Sequence, residues 1–297
     1  VMPDLNEEEI KNTDFGTYGR DEYFDDMARM TQYRADPDMV EMLIDHSLDT
    51  LIWMGSKGIK FQPSYGRQAF KVDGRFKFWG GLCLETWGGG PGLVDALLSA
   101  IEANGIEIAY ATRGVELIVE TGEVKGVVAR EGNDIFDVRA KAVVLASGGF
   151  EANTEWRTRY LGPGWDLAPV RGTRYNTGDG IKMALDIGAM RSGQWDGCHS
   201  TPISADWGHF APRELTDKSN RLSYLYGVLI NRLGRRFLDE GLDMQLFTYA
   251  KYGRIILNEP GGMAFQIFDQ KTVHLLEPRY STSEPIAADT LPELIDK

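Results

Sequence analysis

The chain has 297 residues, of which 42% are hydrophobic, and it carries a formal net charge of −12 at pH 7. Its lysines and arginines are scattered, which excludes the basic surface of a nucleic-acid-binding protein, and no apolar run of about 18 residues or more is present to form a transmembrane segment. The two cysteines, Cys83 and Cys198, have no metal-ligand spacing, so we predict a cytoplasmic protein without a structural metal.

The first clear element is a helix between Asp36 and Gly58. Asp36 and Pro37 are typical of a helix start, and Gly58 is typical of a helix stop. Side chains recur within this segment at helical spacing. The pattern predicts one buried face, made of Met39, Leu43, Ser47, Leu51 and Met54.

The section from 93 to 150 alternates between helical and strand patterns. In chain order it predicts a helix, a strand, a three-stranded antiparallel meander and a strand buried on both faces. These elements cover 93–105, 106–112, 114–140 and 142–146. A helix that leads directly into a strand indicates an α/β layer.

Two glycine turns follow this section. Gly148 and Gly149 come directly after the predicted buried strand, and Thr177-Gly178-Asp179 precedes an amphipathic helix. A glycine turn at the end of a strand lets main-chain amides approach an anion or a flat ring. Taken alone, each turn also has a structural interpretation, the first as an ordinary tight turn and the second as a helix cap by Asp179.

Four motifs carry a resemblance to a known family, namely ASGGF at 146–150, NTGDGIKMALDIGA at 176–189, CHST at 198–201 and GVLINRLGRRFLDEG at 227–241. With these motifs the chain resembles the flavoprotein superfamily of fumarate reductase and succinate dehydrogenase. YLGPGWDLAPVRGTRYNTGDG and TYAKYGR are similar to its tricarballylate dehydrogenase branch. The resemblance implies an α/β fold with α+β elements, as the interior portion of a two-dinucleotide-binding-domain flavoprotein with a capping domain.

By this resemblance, residues 1–197 form an FAD-binding domain and residues 198–297 form a capping domain with the substrate site. Two parts of the family pattern are absent from the sequence, the N-terminal GxGxxG phosphate site and the C-terminal segment that contacts FAD. The glycine-rich stretch 88–92 follows Glu85-Thr86-Trp87 rather than an apolar strand, so it does not fit GxGxxG. We therefore expect an interior piece of a longer flavoprotein that is inactive by itself.

The resemblance implies that FAD is the cofactor and that the two glycine turns hold opposite sides of it. Main-chain groups of Val115 are expected to contact the adenine. The other expected FAD contacts are Ala146, Ser147, Gly148, Gly149, Thr177, Gly178 and Asp179. Two such turns at the spacing of the family are more specific than either turn alone.

The reaction that the resemblance implies is hydride exchange between flavin N5 and a carbon beside a substrate carboxylate. A buried carboxylate needs paired donors. His199 matches the substrate-binding histidine of the superfamily, and Lys251 and Arg254 are the cations nearest to the position of its proton-donating arginine. These three residues form the expected catalytic set. The alternatives are a structural histidine and a solvated helix face that carries the two cations.

We interpret the chain as part of an FAD-dependent dehydrogenase that oxidises a small polycarboxylate such as tricarballylate and passes electrons to an unidentified acceptor. Strict fumarate reduction is less favoured because no arginine lies between Arg236 and Arg254, and Gln245 stands where the tricarballylate branch has an arginine. Three alternatives remain: a fumarate reductase-like enzyme, a 3-ketosteroid dehydrogenase-like enzyme, and a non-catalytic flavoprotein fragment. An apolar steroid would not need His199 together with Arg254.

Overall fold

The computed structural model describes residues 5–78 and 80–297, with the side chains of Arg67 and Thr216 left out. The chain divides into two compact units, Val1–Ala111 and Thr112–Lys297. Within the described residues, no helix combines the length and the apolar character needed to cross a membrane. The domain division at residue 197 stays a prediction, because compactness does not show which segments bind cofactor and substrate.

Helices of the first unit begin where polar side chains or proline suit the free amides of the first turn. Asp36 Oδ1 accepts hydrogen bonds from the main-chain N of Asp38 (3.1 Å) and of Met39 (3.3 Å), and Pro37 is the first helical residue. The long helix therefore starts as predicted. The helices of this unit are α1 Glu7–Lys11, α2 Arg20–Met30, α3 Pro37–Ser56, α4 Tyr65–Gln68 and α5 Gly89–Ala103.

The buried face of α3 differs from the prediction by one residue in its first two turns. Val40 and Ile44 are buried, whereas Met39 and Leu43 are exposed. The half-buried positions that continue the face are Ser47, Leu51 and Met54, as predicted. Both candidate pairs have the same i, i+4 spacing, so periodicity alone does not choose between adjacent stripes of one helix.

The strands of the first unit are β1 Thr13–Asp14, β2 Phe61–Pro63, β3 Ala69–Val72, β4 Arg75–Phe78 and β5 Leu84–Thr86. One sheet has the order β1-β4-β3, in which β3 and β4 form an antiparallel hairpin, and another pairs β2 with β5. Phe78 is almost fully buried, and its ring lies 5.7 Å from the ring of Tyr65. This contact packs β4 against α4.

The strand predicted at 106–112 is wrong. α5 ends at Ala103, and the next strand begins only at Thr112. Ile106 and Ile108 are exposed. Alternating apolar residues mark a segment that can pair, but a ladder also needs a neighbouring strand, and none of the described strands pairs with residues 106–111.

The second unit opens with the three-stranded antiparallel meander that the sequence predicts. Its strands, β6 Thr112–Glu120, β7 Glu123–Glu131 and β8 Asp134–Arg139, lie in the order β6-β7-β8. Thr121 and Gly122 both have positive φ, which is the geometry of the tight hairpin turn expected at this position. Leu117 and Ala129 are buried on neighbouring strands of this sheet.

The strand predicted at 142–146 does not form. The segment pairs with none of the described strands, and Val144 is 87% exposed. A continuous apolar run is typical of a parallel strand, because helices or other layers cover both of its faces. The exposure of Val144 shows that the described part of the chain does not supply that cover.

The remaining elements are α6 Thr154–Leu161, α7 Asp179–Asp186, β9 Val228–Asn231, α8 Gln245–Leu257, β10 Ala264–Ile267 and α9 Leu291–Asp296. β9 pairs antiparallel with β10. A hydrophobic cluster of Tyr224, Leu229 and Tyr252, each at most 1% exposed, packs α8 against β9. The hydroxyls of Tyr224 and Thr248 share a hydrogen bond of 2.6 Å within it. These contacts fix the position of α8.

Candidate functional site

The two glycine turns meet in the structure. The main-chain N of Gly178 donates to the carbonyl of Gly149 (3.0 Å). The side-chain amide of Asn153 donates to the carbonyl of Thr177 (3.0 Å), and its Oδ1 caps the start of α6. Segments 148–153 and 176–178 therefore form one hydrogen-bonded structure, which we call the glycine unit. A ligand that touches one turn is within reach of the other.

Gly178 permits the close approach of the two turns. Its φ of +83° lies in the left-handed region, and a Cβ at this position would lie 2.8 Å from the ring of Trp156. α7 begins at the next residue. The first amides of a helix lack partners within the helix, so α7 offers main-chain donors directly beside the glycine unit.

Asp179 forms an ion pair rather than a helix cap. Its carboxylate accepts from Arg113 Nε (2.7 Å) and Nη2 (2.8 Å), and the Thr177 hydroxyl donates to it as well (3.0 Å). Hydrogen bonding from Arg113, and then from Thr177, lowers the pKa of Asp179 despite partial burial. No side chain caps the start of α7. The pair ties α7 to β6.

Val115 lies at a β-bulge in β6. The register between β6 and β7 shifts between Gly114 and Glu116, so Val115 has no partner residue across the ladder. A bulge leaves one residue's main-chain groups outside the ladder, which is what a main-chain contact to adenine requires. Arg113, two residues earlier, pairs with Asp179 and so links the bulge to the glycine unit.

The segment 146–149 offers further main-chain donors. Within the described chain, the amides of Ala146, Ser147, Gly148 and Gly149 donate to no protein acceptor. A cavity of about 250 Å³ lies against this segment, and its lining includes Ser147, Gly148, Gly180, Arg191 and Trp195. Free amides beside a cavity suit a phosphate or a flat ring, so the residues present fit a dinucleotide such as FAD.

On the substrate side, the structure brings His199 to α8. The next residue, Ser200, donates from its main-chain N to the carbonyl of Ala250 (2.7 Å). The His199 ring packs edge-to-face against Tyr249 on α8, with 5.0 Å between ring centroids. Two segments about 50 residues apart in sequence are thereby held together.

Lys251 and Arg254 are exposed on the same helix. Neither side chain has an ion-pair partner in the part of the chain that the structure describes. Their exposure fits a contact with an anionic substrate, and it fits a solvated helix face equally well. Their catalytic roles and that of His199 therefore stay predictions.

His199 is exposed at its surface but surrounded by enough protein to change its ionisation. Desolvation, and then the charge of Arg171, lower the pKa of His199 below its ordinary value. The imidazole is therefore neutral at pH 7. It can donate one hydrogen bond to a substrate oxygen without carrying a charge of its own.

Sequence reasoning missed Arg171 and the segment that holds it. Arg157, which is 3% exposed, donates to the carbonyls of Ala168 (2.7 Å) and Asp166 (3.2 Å). Burial lowers the pKa of this guanidinium. These bonds fix residues 166–168, and the charge of Arg171, three residues further on, acts on His199. The cations inside the motif YLGPGWDLAPVRGTRYNTGDG were the sequence signal that could have identified Arg171. That motif was used only to recognise the family resemblance.

Gln245 has a structural role in α8. Its Nε2 donates to the carbonyl of Leu222 (2.6 Å), at the first residue of the helix. The position at which the resemblance implied an arginine in the tricarballylate branch is therefore uncharged here, and its side chain is bonded to the main chain. This supports the interpretation that the usual proton donor is not carried over here.

The chain mixes helices and sheets, and it combines the bulge at Val115, the glycine unit and the free amides of 146–149. These features define a dinucleotide-binding class of protein. The family described as FAD binding domain matches residues 11–273, and the chain belongs to that family. The prediction that the cofactor is FAD is thereby confirmed.

Among curated relatives, a probable fumarate reductase of Shewanella frigidimarina is 29% identical over 265 residues, which are 88% of this chain and 42% of the relative. A 3-oxosteroid 1-dehydrogenase of Mycobacterium tuberculosis is 28% identical over 231 residues, 72% of this chain and 38% of the relative. The solved open conformation of a flavocytochrome c3 fumarate reductase is 25% identical with a TM-score of 0.63, covering 90% of this chain and 43% of that one. The chain thus spans less than half the length of these relatives.

These similarities confirm the predicted superfamily of FAD-dependent flavoproteins, and the curated relatives named above are oxidoreductases. They also confirm a mixed helix-and-sheet flavoprotein fold. The nearness to tricarballylate dehydrogenase, the capping domain and the individual site residues stay predictions.

Proposed function

We propose that the whole protein is an FAD-dependent dehydrogenase that oxidises a small polycarboxylate such as tricarballylate. The observation that supports this most is the attachment of the His199 segment to α8. It brings a neutral imidazole to a helix with two exposed cations, Lys251 and Arg254. Carboxylates bind to such a mixture of donors through charge-assisted hydrogen bonds.

The residues that would hold FAD are Val115 at its bulge, the amides of 146–149 and the main chain of 177–179. Asp179 would contribute through its backbone, because its carboxylate is already bonded to Arg113 and Thr177. When bound, FAD would supply the acceptor for a hydride from the substrate, and the proton lost from the neighbouring carbon would pass to a protein side chain. The protein residues bind and orient the two molecules.

On the substrate side, each donor has a distinct role. Arg254 can bind a carboxylate with two parallel N–H groups, whereas Lys251 acts as a point charge. Neutral His199 orients one oxygen by a single hydrogen bond. A chain of net charge −12 repels a polyanion at long range. Capture of the substrate therefore depends on these local groups and on the nearby charge of Arg171.

A second candidate is oxidation of a 3-ketosteroid. The similarity to the mycobacterial 3-oxosteroid 1-dehydrogenase supports it, and so does the uncharged Gln245. An apolar substrate, however, leaves Arg254 and His199 without a function. Fumarate reduction, by analogy with the Shewanella relative, is the same polycarboxylate chemistry in the reverse direction. In either direction the electrons pass to or from a separate partner of the flavin.

Substitution of the two donors tests the proposal. In the full-length protein, His199→Ala and Arg254→Ala should keep FAD but slow its reduction by tricarballylate at least about tenfold, the size of a loss of about 1.4 kcal/mol. Lys125→Ala removes an exposed cation that is paired with Glu123 on β7 and serves as the control. Anaerobic stopped-flow absorbance gives the rates. Wild-type rates in both variants would remove these residues from the mechanism.

A further inference from the structure

Ser200 is fastened to α8 by four hydrogen bonds. Its main-chain N donates to the carbonyl of Ala250 (2.7 Å), and its own carbonyl accepts from the main-chain N of Gly253 (3.0 Å). Its hydroxyl accepts from the main-chain N of Arg254 (3.0 Å) and donates to the carbonyl of Ala250 (3.3 Å). One serine thus uses both its backbone and its side chain on a single turn of the helix.

Gly253 makes this contact possible. A Cβ at this position would lie 2.7 Å from the carbonyl carbon of Ser200 and 2.8 Å from the main-chain N of Thr201. Carbon atoms in proteins do not approach so closely, so any larger residue would push segment 199–201 away from α8. The glycine here serves close approach of two backbones, because its φ is not in the left-handed region.

The contact fixes the spacing of two groups that act on the substrate in the proposed function. His199 directly precedes Ser200, and Arg254 is the residue whose main-chain N binds the serine hydroxyl. The hydrogen bonds therefore determine where the imidazole lies relative to the start of the arginine side chain. Reaction rates depend steeply on such spacing, since displacement of a group by about 1 Å can cost about a hundredfold.

We propose that Ser200 and Gly253 are positioning residues, which act on catalysis by holding His199 and Arg254 at a fixed distance from one another. This inference rests on the proposed function. It adds two residues that carry no charge and do not contact the substrate themselves.

A double-mutant cycle tests the role of Ser200. In full-length holoenzyme, Ser200→Ala should slow flavin reduction by tricarballylate about tenfold, with unchanged FAD content and thermal midpoint. In an Arg254→Ala background the same change should slow the reaction less than about twofold, because the guanidinium whose distance from His199 the serine fixes is absent. The hydrogen bond from the main-chain N of residue 254 to the Ser200 hydroxyl is still present in the Arg254→Ala background. Any structural effect of Ser200→Ala is therefore the same in both backgrounds.

The outcomes of this cycle distinguish the proposed polycarboxylate function from the positioning role of Ser200. If Arg254→Ala slows the reaction and Ser200→Ala costs about tenfold in both backgrounds, the polycarboxylate function stands and the positioning role is wrong. If Arg254→Ala has no effect, the positioning role is wrong, and if His199→Ala has no effect either, the polycarboxylate function is wrong too. Coupling of the two substitutions supports both.

Gly253→Ala provides a second test. It should slow flavin reduction more than Ser200→Ala, because it displaces the whole segment that carries His199. Gly55→Ala is the matched control, since Gly55 also lies in a helix, α3, with no atom within 4 Å of a built Cβ. A wild-type rate in a folded Gly253→Ala holoenzyme would overturn the proposal. If that variant does not fold, the cycle with Ser200 decides.

Discussion

At the residue scale, Asp179 shows how a sequence motif can serve two purposes. The motif predicts an FAD contact, and the structure gives the carboxylate a further role in joining α7 to β6 through Arg113. The ion pair accounts for the carboxylate oxygens, whereas the main-chain N of Asp179 donates to no acceptor among the described residues. A functional motif therefore need not use its charged side chain on the ligand.

This ion pair predicts a pH-dependent stability. The pKa of Asp179 is lowered in the folded chain, while an unfolded aspartate has a pKa of about 3.9. The stabilisation is therefore present above about pH 4 and is lost as the pH falls through the folded-state pKa. Because the Arg113 side chain is 54% exposed, we expect Asp179→Asn to cost only about 1 kcal/mol at pH 7.

Urea unfolding of wild type and Asp179→Asn between pH 7 and pH 3 measures this difference. The difference in the free energy of unfolding should shrink as the pH falls below about 4. Asp186→Asn, which breaks an exposed pair with Lys182 on the same helix, is the control and should cost less. A difference between wild type and Asp179→Asn that stays constant with pH would contradict the assignment.

At the element scale, local patterns predicted what local interactions determine. The meander β6-β7-β8 was predictable because alternation and tight turns fix antiparallel neighbours that follow each other in sequence. The start of α3 was predictable because Asp36 and Pro37 satisfy its first turn directly. The buried stripe of α3 was displaced by one residue, since it depends on what packs against the helix.

The two wrong strands have a common cause. Segments 106–112 and 142–146 have suitable composition, but strand formation depends on partners distant in sequence, and composition does not reveal whether those partners are present. The bulge at Val115 was also invisible, because it arises from register between strands. The hydrogen bond between the two glycine turns was not predicted either, because a contact between distant segments depends on tertiary structure. Arg171 was missed because its effect on His199 operates across 28 positions of sequence.

The glycine unit makes a prediction of its own. Gly178→Ala places a Cβ against Trp156 at a positive φ, so the bond from Gly178 to Gly149 should lengthen and the main-chain donors should move. We expect the FAD dissociation constant of the full-length protein to rise at least about tenfold. Fluorescence titration of the deflavinated protein with FAD measures it.

Gly172→Ala is the control for this substitution, because a Cβ there meets no atom within 4 Å and its φ is not positive. Its FAD affinity should equal that of wild type. Equal affinity for Gly178→Ala as well would show that the glycine unit does not contact the cofactor.

At the scale of the whole molecule, the net charge is negative, whereas the proposed substrate site carries cations. A protein with 44 acidic and 32 basic residues repels anions overall. Arg171, whose charge acts on His199, and the α8 cations Lys251 and Arg254 nevertheless lack carboxylate partners among the described residues. Unpaired cations in an acidic chain are expected where an anionic substrate supplies the missing charge. Exposure to solvent accounts for these unpaired cations equally well if the substrate is apolar.

The choice between a polycarboxylate and a steroid is therefore the most direct test. FAD-loaded full-length protein should be mixed anaerobically with tricarballylate in one experiment and with 4-androstene-3,17-dione in another, while the visible absorbance of the flavin is followed. The account predicts that tricarballylate bleaches the flavin and the steroid does not. Bleaching by the steroid, with no response to tricarballylate, would contradict it.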